Sequence, residues 1–237
     1  MNNCIYIHEF IDINGHQRAN YMQHMTANWG PIGQEQRDQL CYGVWALLGS
    51  TGVWPQTVNM WEHRDWSGLA ASFETEAVGS GAQDPALAAW WARAAEFRRG
   101  GCDRIVLPAP WTRTIEQLCA DGVRGATYAH ELVTVAPGDA VDLLERARDA
   151  SDLHRRHGWE LIGAFTTAMR NDDEAILLWA IPTWQQWASG EQDRDLATWR
   201  RGIGARAWER VLLVDAPLCP LRIGRQPSRD DRVDWTD

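Results

Sequence analysis

Tyr6-Ile-His8-Glu9-Phe10, near the start of the chain, returns as Tyr128-Ala-His130-Glu131-Leu132 past its midpoint. Around the first copy, Ile5, Ile7, Ile11 and Ile13 alternate with Tyr6, His8, Phe10 and Asp12, the period of two of a β-strand. Further echoes follow in the same order. Trp61, in a strand predicted over 56–63, is matched by Trp179 in one over 175–181, and Trp66 by Trp184. Arg104-Ile-Val-Leu-Pro-Ala-Pro110 is echoed by Arg210-Val-Leu-Leu-Val-Asp-Ala-Pro217. Echoes that keep one order predict a duplicated domain.

The intervening sequence supplies helices and paired strands. Tyr21, Met22, Met25 and Trp29 stripe a helix predicted over 17–29, with Gly30-Pro31 as its stop. A strand is expected over 41–48. Asp84-Pro85 reads as an N-cap and first turn. The helix it opens carries Leu87, Trp90, Trp91, Ala94 and Phe97 and ends at Gly100-Gly101, before a short strand at 104–107. In the second copy Ala140, Leu143, Leu144, Ala147 and Ala150 share a helix face, strands fall at 159–168 and 175–181, and Leu196, Trp199 and Ile203 stripe a last helix.

Each half is therefore βαββαβ, the ferredoxin-like order. A four-stranded sheet with helices on one face must bury the other. The expected fold is α+β: two tandem ferredoxin-like repeats, 1–115 and 125–224, closed into an intramolecular dimeric α+β barrel. The barrel interior is the expected ligand cavity. A linker is expected over 112–124 and a mobile charged tail over 225–237.

Composition narrows the function. Net charge is −9 in 237 residues, which disfavours nucleic acid or an anionic surface as partner. All 23 basic residues are arginine, so lysine Schiff-base chemistry is excluded. The five cysteines form no C-x-x-C pair, which points to free thiols. MNNCIYIHEF has no basic region leading into an apolar stretch, and no apolar run is long enough to span a bilayer, so a cytoplasmic protein without a membrane span is expected. The fifteen tryptophans offer flat apolar surface for a core or an aromatic pocket.

The chain resembles the NIPSNAP family within the dimeric α+β barrel superfamily. The resemblance covers about residues 3–222 and rests on named segments: Tyr6-Ile-His-Glu9; Tyr128-Ala-His-Glu131 with Val135-Ala-Pro-Gly138; Val58-Asn-Met-Trp61-Glu62-His63; Asp84-Pro-Ala-Leu87; and the closing Arg104 to Pro110. It implies the barrel. It also implies the range of activities in the superfamily: cofactor-free monooxygenases, haem-binding enzymes, polyketide cyclases, isomerases and plain ligand binders. An arginine common in the family two residues after the acidic position is replaced here by Ile11 and Val133.

Candidate site residues follow from strand alternation. If Val58 and Met60 face the helices, Asn59, Trp61 and His63 face the barrel, and Leu177, Trp179 and Ile181 form an apolar wall opposite. On the opening strands His8 and His130 share one face, Glu9 and Glu131 the other. Analogy with the family's acidic position places the glutamates in the barrel. Among isoleucines, Glu9 would have its pKa raised by desolvation and could act as a general base. His8 or His130 would titrate near neutrality and would serve equally well, and His63 is a further candidate acid or base; a structural hydrogen bond across the pseudo-twofold is the alternative use of such a pair. Tyr6 and Trp45 join Trp61 and Trp179 as expected substrate contacts. His16, His24, His154 and His157 are expected at the surface, and no spacing suggests a protein-held metal. The expected activity is acid/base chemistry on a bulky apolar or aromatic molecule (isomerase, cyclase, lyase or cofactor-free monooxygenase) in a monomer or homodimer. The alternative is a hydrophobic-ligand or haem binder using His63 or His130 as axial ligand.

Overall fold

The computed structural model describes residues 1–77 and 85–231. Its first half runs β1 (Ile5–Ile13), α1 (Arg18–Gln23), a π-helical segment (His24–Trp29), α2 (Gly30–Arg37), β2 (Gln39–Leu47), β3 (Gln56–His63), α3 (Trp66–Ala77), α4 (Pro85–Phe97) and β4 (Arg98–Pro108). A short α5 (Ile115–Ala120) joins it to β5 (Thr127–Thr134), α6 (Ala140–Asp149), α7 (Ser151–Arg155), β6 (Glu160–Thr167), β7 (Glu174–Ile181), α8 (Trp184–Gln192), α9 (Arg194–Gly202), β8 (Ala207–Asp215) and α10 (Pro220–Ile223). The strands close into a barrel in the order β1-β3-β2-β8-β5-β7-β6-β4. The halves meet at two short antiparallel seams, Trp45↔Asp215 to Leu47↔Leu213 and Val106↔Thr167 to Pro108↔Phe165.

Several local expectations give way to tertiary context. Gly30-Pro31 does not stop the first helix. Proline lacks only an N–H that the first turn leaves free, and α2 starts there and runs on to Arg37. Gly100-Gly101 lies inside β4, which is far longer than the strand expected at 104–107. A Cβ on Gly101 would stand 2.3 Å from the Phe10 carbonyl oxygen, so the pairing of β4 with β1 requires glycine there. The linker holds α5, capped by the reciprocal Thr114–Gln117 box. Residues 225–231 of the expected mobile tail are docked: Gln226 exchanges hydrogen bonds with the Cys41 backbone, and Gln34 donates to the Pro227 carbonyl. Asp84, read as an N-cap, lies outside the described residues.

Register also corrects the alignment of the halves. Val106 stands opposite Tyr6 and Leu213 opposite Tyr128. The strand counterpart of Arg210 is therefore Asp103, not Arg104.

The barrel faces are the reverse of those expected. Tyr6, His8, Val58 and Met60 point inward with Tyr128, His130, Ile176 and Leu178, all buried. Glu9, Asn59, Trp61 and His63 face the helices, as do Glu131, Leu177, Trp179 and Ile181. The interior is a packed core, not a ligand cavity. Tyr6 packs edge-on against Tyr42 and Phe165, at 5.4 and 4.9 Å between ring centroids, and Trp45 lies 5.8 Å from Tyr128. Matching bulges at Cys41/Gly43 and Leu161/Gly163 bend β2 and β6. At each, an aromatic ring covers the glycine: a Cβ on Gly43 would lie 2.0 Å from Trp45, and one on Gly163 2.5 Å from Phe165.

Across the pseudo-twofold, His8 and His130 bond Nε2 to Nε2 at 2.8 Å. Burial holds the His130 imidazole down at about 3 and that of His8 well below the ordinary range, so both are neutral near pH 7 and one ring donates to the other. His16 is exposed as expected and His157 is half-buried. His24 and His154 are buried instead, stacked on Trp90 and Trp179.

Candidate active site

On the outer face of the first half, a cavity of about 250 Å³ opens between the sheet and its covering helices. Trp61, Ile7 and Glu9 supply its floor. Met25 and Trp29 enter from the π-helical segment, Phe73 from α3, and Trp90 and Trp91 from α4. The π turn offsets the side chains that follow it, an irregularity common where a helix serves a site. Asp38 sits in the left-handed conformation (φ 47°) and ends α2, turning the chain so that Gln39 opens β2 at the cavity edge.

Glu9 is the best-placed reactive group. Asn59 Nδ2 and Trp61 Nε1 both donate to its Oε2 at 2.9 Å. Asn59 is itself fixed by a 2.8 Å bond to the Tyr21 hydroxyl oxygen. Among the described residues nothing donates to Oε1, so one carboxylate oxygen is pinned and the other keeps its lone pairs. Desolvation first, and the facing Asp103 carboxylate second, push the Glu9 carboxyl above the usual range, against the pull of its two donors. Asp103, at the open side, is raised as well by desolvation, with Arg98 opposing.

The remaining expected residues are elsewhere. Tyr6 donates to buried Glu62 at 2.7 Å inside the barrel, and Trp45 packs there against Tyr128, so neither is available as a substrate contact. Glu131, Trp179, Leu177 and Ile181 occupy the second half's helix-facing core. There Arg210 Nε donates to Glu131 at 2.6 Å, and His154 stacks on Trp179 with 3.8 Å between ring centroids. His63 lies at the end of β3 beside Gln39, fully buried, its pKa lowered to about 4 by desolvation and then by Arg37.

The sequence reading therefore found Glu9, Asn59 and Trp61 as a group, though on the other face. It missed Asp103, hidden by the one-residue slip in the closing echo. It also missed Gln39 and Arg37, which lie beyond the presumed helix stop. Trp29, Trp90 and Trp91, which the sequence places on helix stripes, line the cavity, and Trp90, expected exposed on an outer helix where it could support a dimer, is buried.

A haem, as the alternative reading requires, does not fit these residues. The cavity wall carries no histidine, cysteine or tyrosine. His130 and His8 spend their Nε2 atoms on each other in a filled barrel, and His63 does not line the cavity. Among the described residues no group of three or more potential ligands could hold a metal ion, and no helix is long and apolar enough to cross a membrane.

No model of a known protein family matches the sequence, and no curated protein is similar to it. Solved structures share the fold. A candidate monooxygenase from Lactobacillus acidophilus superposes with a TM-score of 0.59 at 8% identity, over 96% of this chain and 97% of that one. An anthrone oxidase-like protein gives 0.57 at 9% identity, over 90% and 91%. A single-substitution variant of chlorite dismutase from Candidatus Nitrospira defluvii gives 0.50 at 12%, over 92% of each chain. The chain thus has the dimeric α+β barrel fold, built from two halves of one polypeptide. None of these three structures bears the NIPSNAP name, and that narrower resemblance rests on the strand motifs.

Proposed function

We propose that this NIPSNAP-like barrel is an enzyme that removes a proton from a flat, apolar, enolisable molecule, with Glu9 as general base. The observation that carries the reading is the Glu9 carboxylate itself: one oxygen pinned, the other open, its pKa raised, at the floor of a tryptophan-walled cavity. A carboxylate whose pKa is raised by burial is a stronger base than an ordinary one and accepts a proton more readily. The indoles hold an aromatic ring by stacking and exclude water, which strengthens every dipole acting on the developing enolate. Isomerisation, cyclisation, elimination and cofactor-free oxygenation all begin with this step. Among them oxygenation has the support of two proteins that share the fold, an anthrone oxidase-like protein and a candidate monooxygenase.

Anthrone, a tricyclic ketone with an acidic methylene, tests the proton step alone. In D₂O under argon the wild-type protein should accelerate deuterium exchange at that carbon. Glu9→Gln should still quench its tryptophan fluorescence on binding anthrone but lose roughly 10²–10⁴-fold in exchange rate. Binding without accelerated exchange in the wild type would instead mark a non-catalytic carrier, and equal exchange by the variant would remove Glu9 from the role.

A further inference from the structure

Glu9 and Asp103 stand opposite each other on β1 and β4, and both line the cavity. Cβ atoms in such a pair are about 4.5–5.5 Å apart, and like charges placed so repel. In the second half the register is the same, but the residue opposite Glu131 is Arg210. Arg210 Nε donates to Glu131 at 2.6 Å, and its guanidinium carbon lies 5.9 Å from the Trp159 ring centre and 6.0 Å from that of Trp208. That half thus holds a cation beside a carboxylate and two indoles. The first half keeps the carboxylate and has indoles of its own, adds a second carboxylate, and among the described residues has no cation bonded to either.

The arginines around the cavity do not fill this gap. Arg37 donates from Nη2 to Glu76 at 2.6 Å and from Nε to Ser72 at 2.8 Å. Arg104 turns to the barrel face, where its Nε donates to Glu174 at 2.9 Å. Arg98 attracts Glu9 and Asp103 from a distance and lies 5.9 Å from the Trp91 ring centre. The gap is open to a ligand, because Asp103 is exposed and Glu9 only half-buried. Beyond it stand the indoles of Trp61, Trp29, Trp90 and Trp91. An indole face attracts a cation within about 6 Å of its centre, the more so where water is excluded. Arg37 over Trp29, at 5.2 Å, and Arg98 over Trp91 already use this attraction.

We propose that the first-half cavity binds an organic cation, its positive nitrogen lodged between Glu9 and Asp103 and against the indole wall, in the place that Arg210 takes in the second half. The ligand class is a flat aromatic molecule that carries a substituted ammonium or a charged ring nitrogen. A positive nitrogen beside an enolisable carbon also stabilises the negative charge that develops there, so the cation adds to the proton removal assigned to Glu9. This rests on the cavity assigned above, but its test does not use turnover.

The probes are 1-methylquinolinium and 1-methylnaphthalene, which share one shape and differ in the charged nitrogen, with dissociation constants read from tryptophan quenching at low salt. Wild type should bind the cation about tenfold more tightly. Asp103→Asn and Glu9→Gln should each bring the ratio towards one and leave the 1-methylnaphthalene constant unchanged. Glu209→Gln removes one charge from an exposed position on β8 and should leave the ratio as it is, which separates the site from the general attraction of an acidic chain. Asp103→Asn relieves a like-charge pair, so it should melt at the same temperature or higher. A ratio of one or less in wild type, a ratio that survives both substitutions or falls equally in Glu209→Gln, binding of neither probe, or a clear fall in melting temperature for Asp103→Asn would each overturn the cation site. Anthrone exchange reads proton removal separately, so failure of exchange leaves the cation ratio standing, and failure of the ratio leaves exchange standing.

Discussion

The two halves present the same carboxylate to the same indole and then treat it in opposite ways. Glu9 takes its bond from Trp61 at 2.9 Å, and Glu131 takes one from Trp179 at 3.4 Å. In the first half the neighbours are Asn59 and Asp103. In the second they are Leu177 and Arg210. Arg210 binds Glu131 at 2.6 Å and continues to Glu191 at 2.7 Å, closing the space with an ion-pair network. Asp103 offers a second negative charge instead, and among the described residues no arginine bonds Glu9, which stands at the open cavity. His154 covers Trp179 from above, whereas Trp61 forms the floor of that open cavity. Two substitutions in a duplicated frame thus separate a carboxylate locked in an ion-pair network from one left open at a cavity.

The sharpest way to break this comparison is to make the same change in both halves. Glu9→Gln should lower anthrone exchange by roughly 10²–10⁴-fold and scarcely move stability. Glu131→Gln should leave exchange intact and destabilise the fold, because it strands Arg210. Removing one partner of a wholly buried pair costs about 3–5 kcal/mol. Arg210 keeps Glu191 and some exposure, so about 2–3 kcal/mol is expected, read from urea unfolding at constant m-value. Equal effects of the two changes would dissolve the distinction.

How far the sequence reveals this division follows from what periodicity encodes. Alternation in β1 and the ordered echoes are consequences of burial on both strand faces, so they give the strands and the duplication. Alternation alone does not say which face turns inward. Val58/Met60 and Asn59/Trp61 are each apolar enough to pack, and the assignment reversed. The contrast of Asn59 with Leu177 was visible, and it is one of the two differences between the surroundings of Glu9 and Glu131. Asp103 was not, because Gly100 and Gly101 signal a helix stop in isolation and reveal their role only when β4 lies against Phe10. The His8–His130 bond was one of two uses open to the paired residues. Choosing it required knowing that the barrel interior is filled.

A smaller effect concerns acid stability. His130 and His154 are held at about 3 and His63 at about 4 in the folded chain, against about 6.5 unfolded. In that window the unfolded state binds more protons, so stability is present above pH 6.5 and is lost as pH falls towards 4, by up to about 1.4 kcal/mol per pH unit for each group. Raised carboxyls such as Glu9 and Glu62 act with the opposite sign and soften the slope. His154→Phe keeps a ring over Trp179 and removes one titration from the second half alone. Its unfolding free energy should fall less steeply between pH 6.5 and 4, by up to about that amount per unit. An unchanged slope would show that His154 is not held neutral by its burial.

The smallest expected effect tests the partner of the proposed base. Asp103→Asn keeps the side chain's shape and removes the charge that faces Glu9. Glu9 acts as a base only when ionised, so the acid limb of its exchange rate follows its pKa. Without the like charge that pKa falls, and the limb should move to lower pH. The movement should be less than about one unit, because desolvation is the larger cause of the shift and remains in place. Salt separates the two causes. Asp103 is open to solvent, so its repulsion is screened at high ionic strength, whereas burial is not. Added salt should therefore shift the wild-type limb downward towards the position of the variant and leave the variant's limb where it is. A limb equally sensitive to salt in both proteins would mean that Asp103 does not tune Glu9, and that the difference between the halves lies in Arg210 alone.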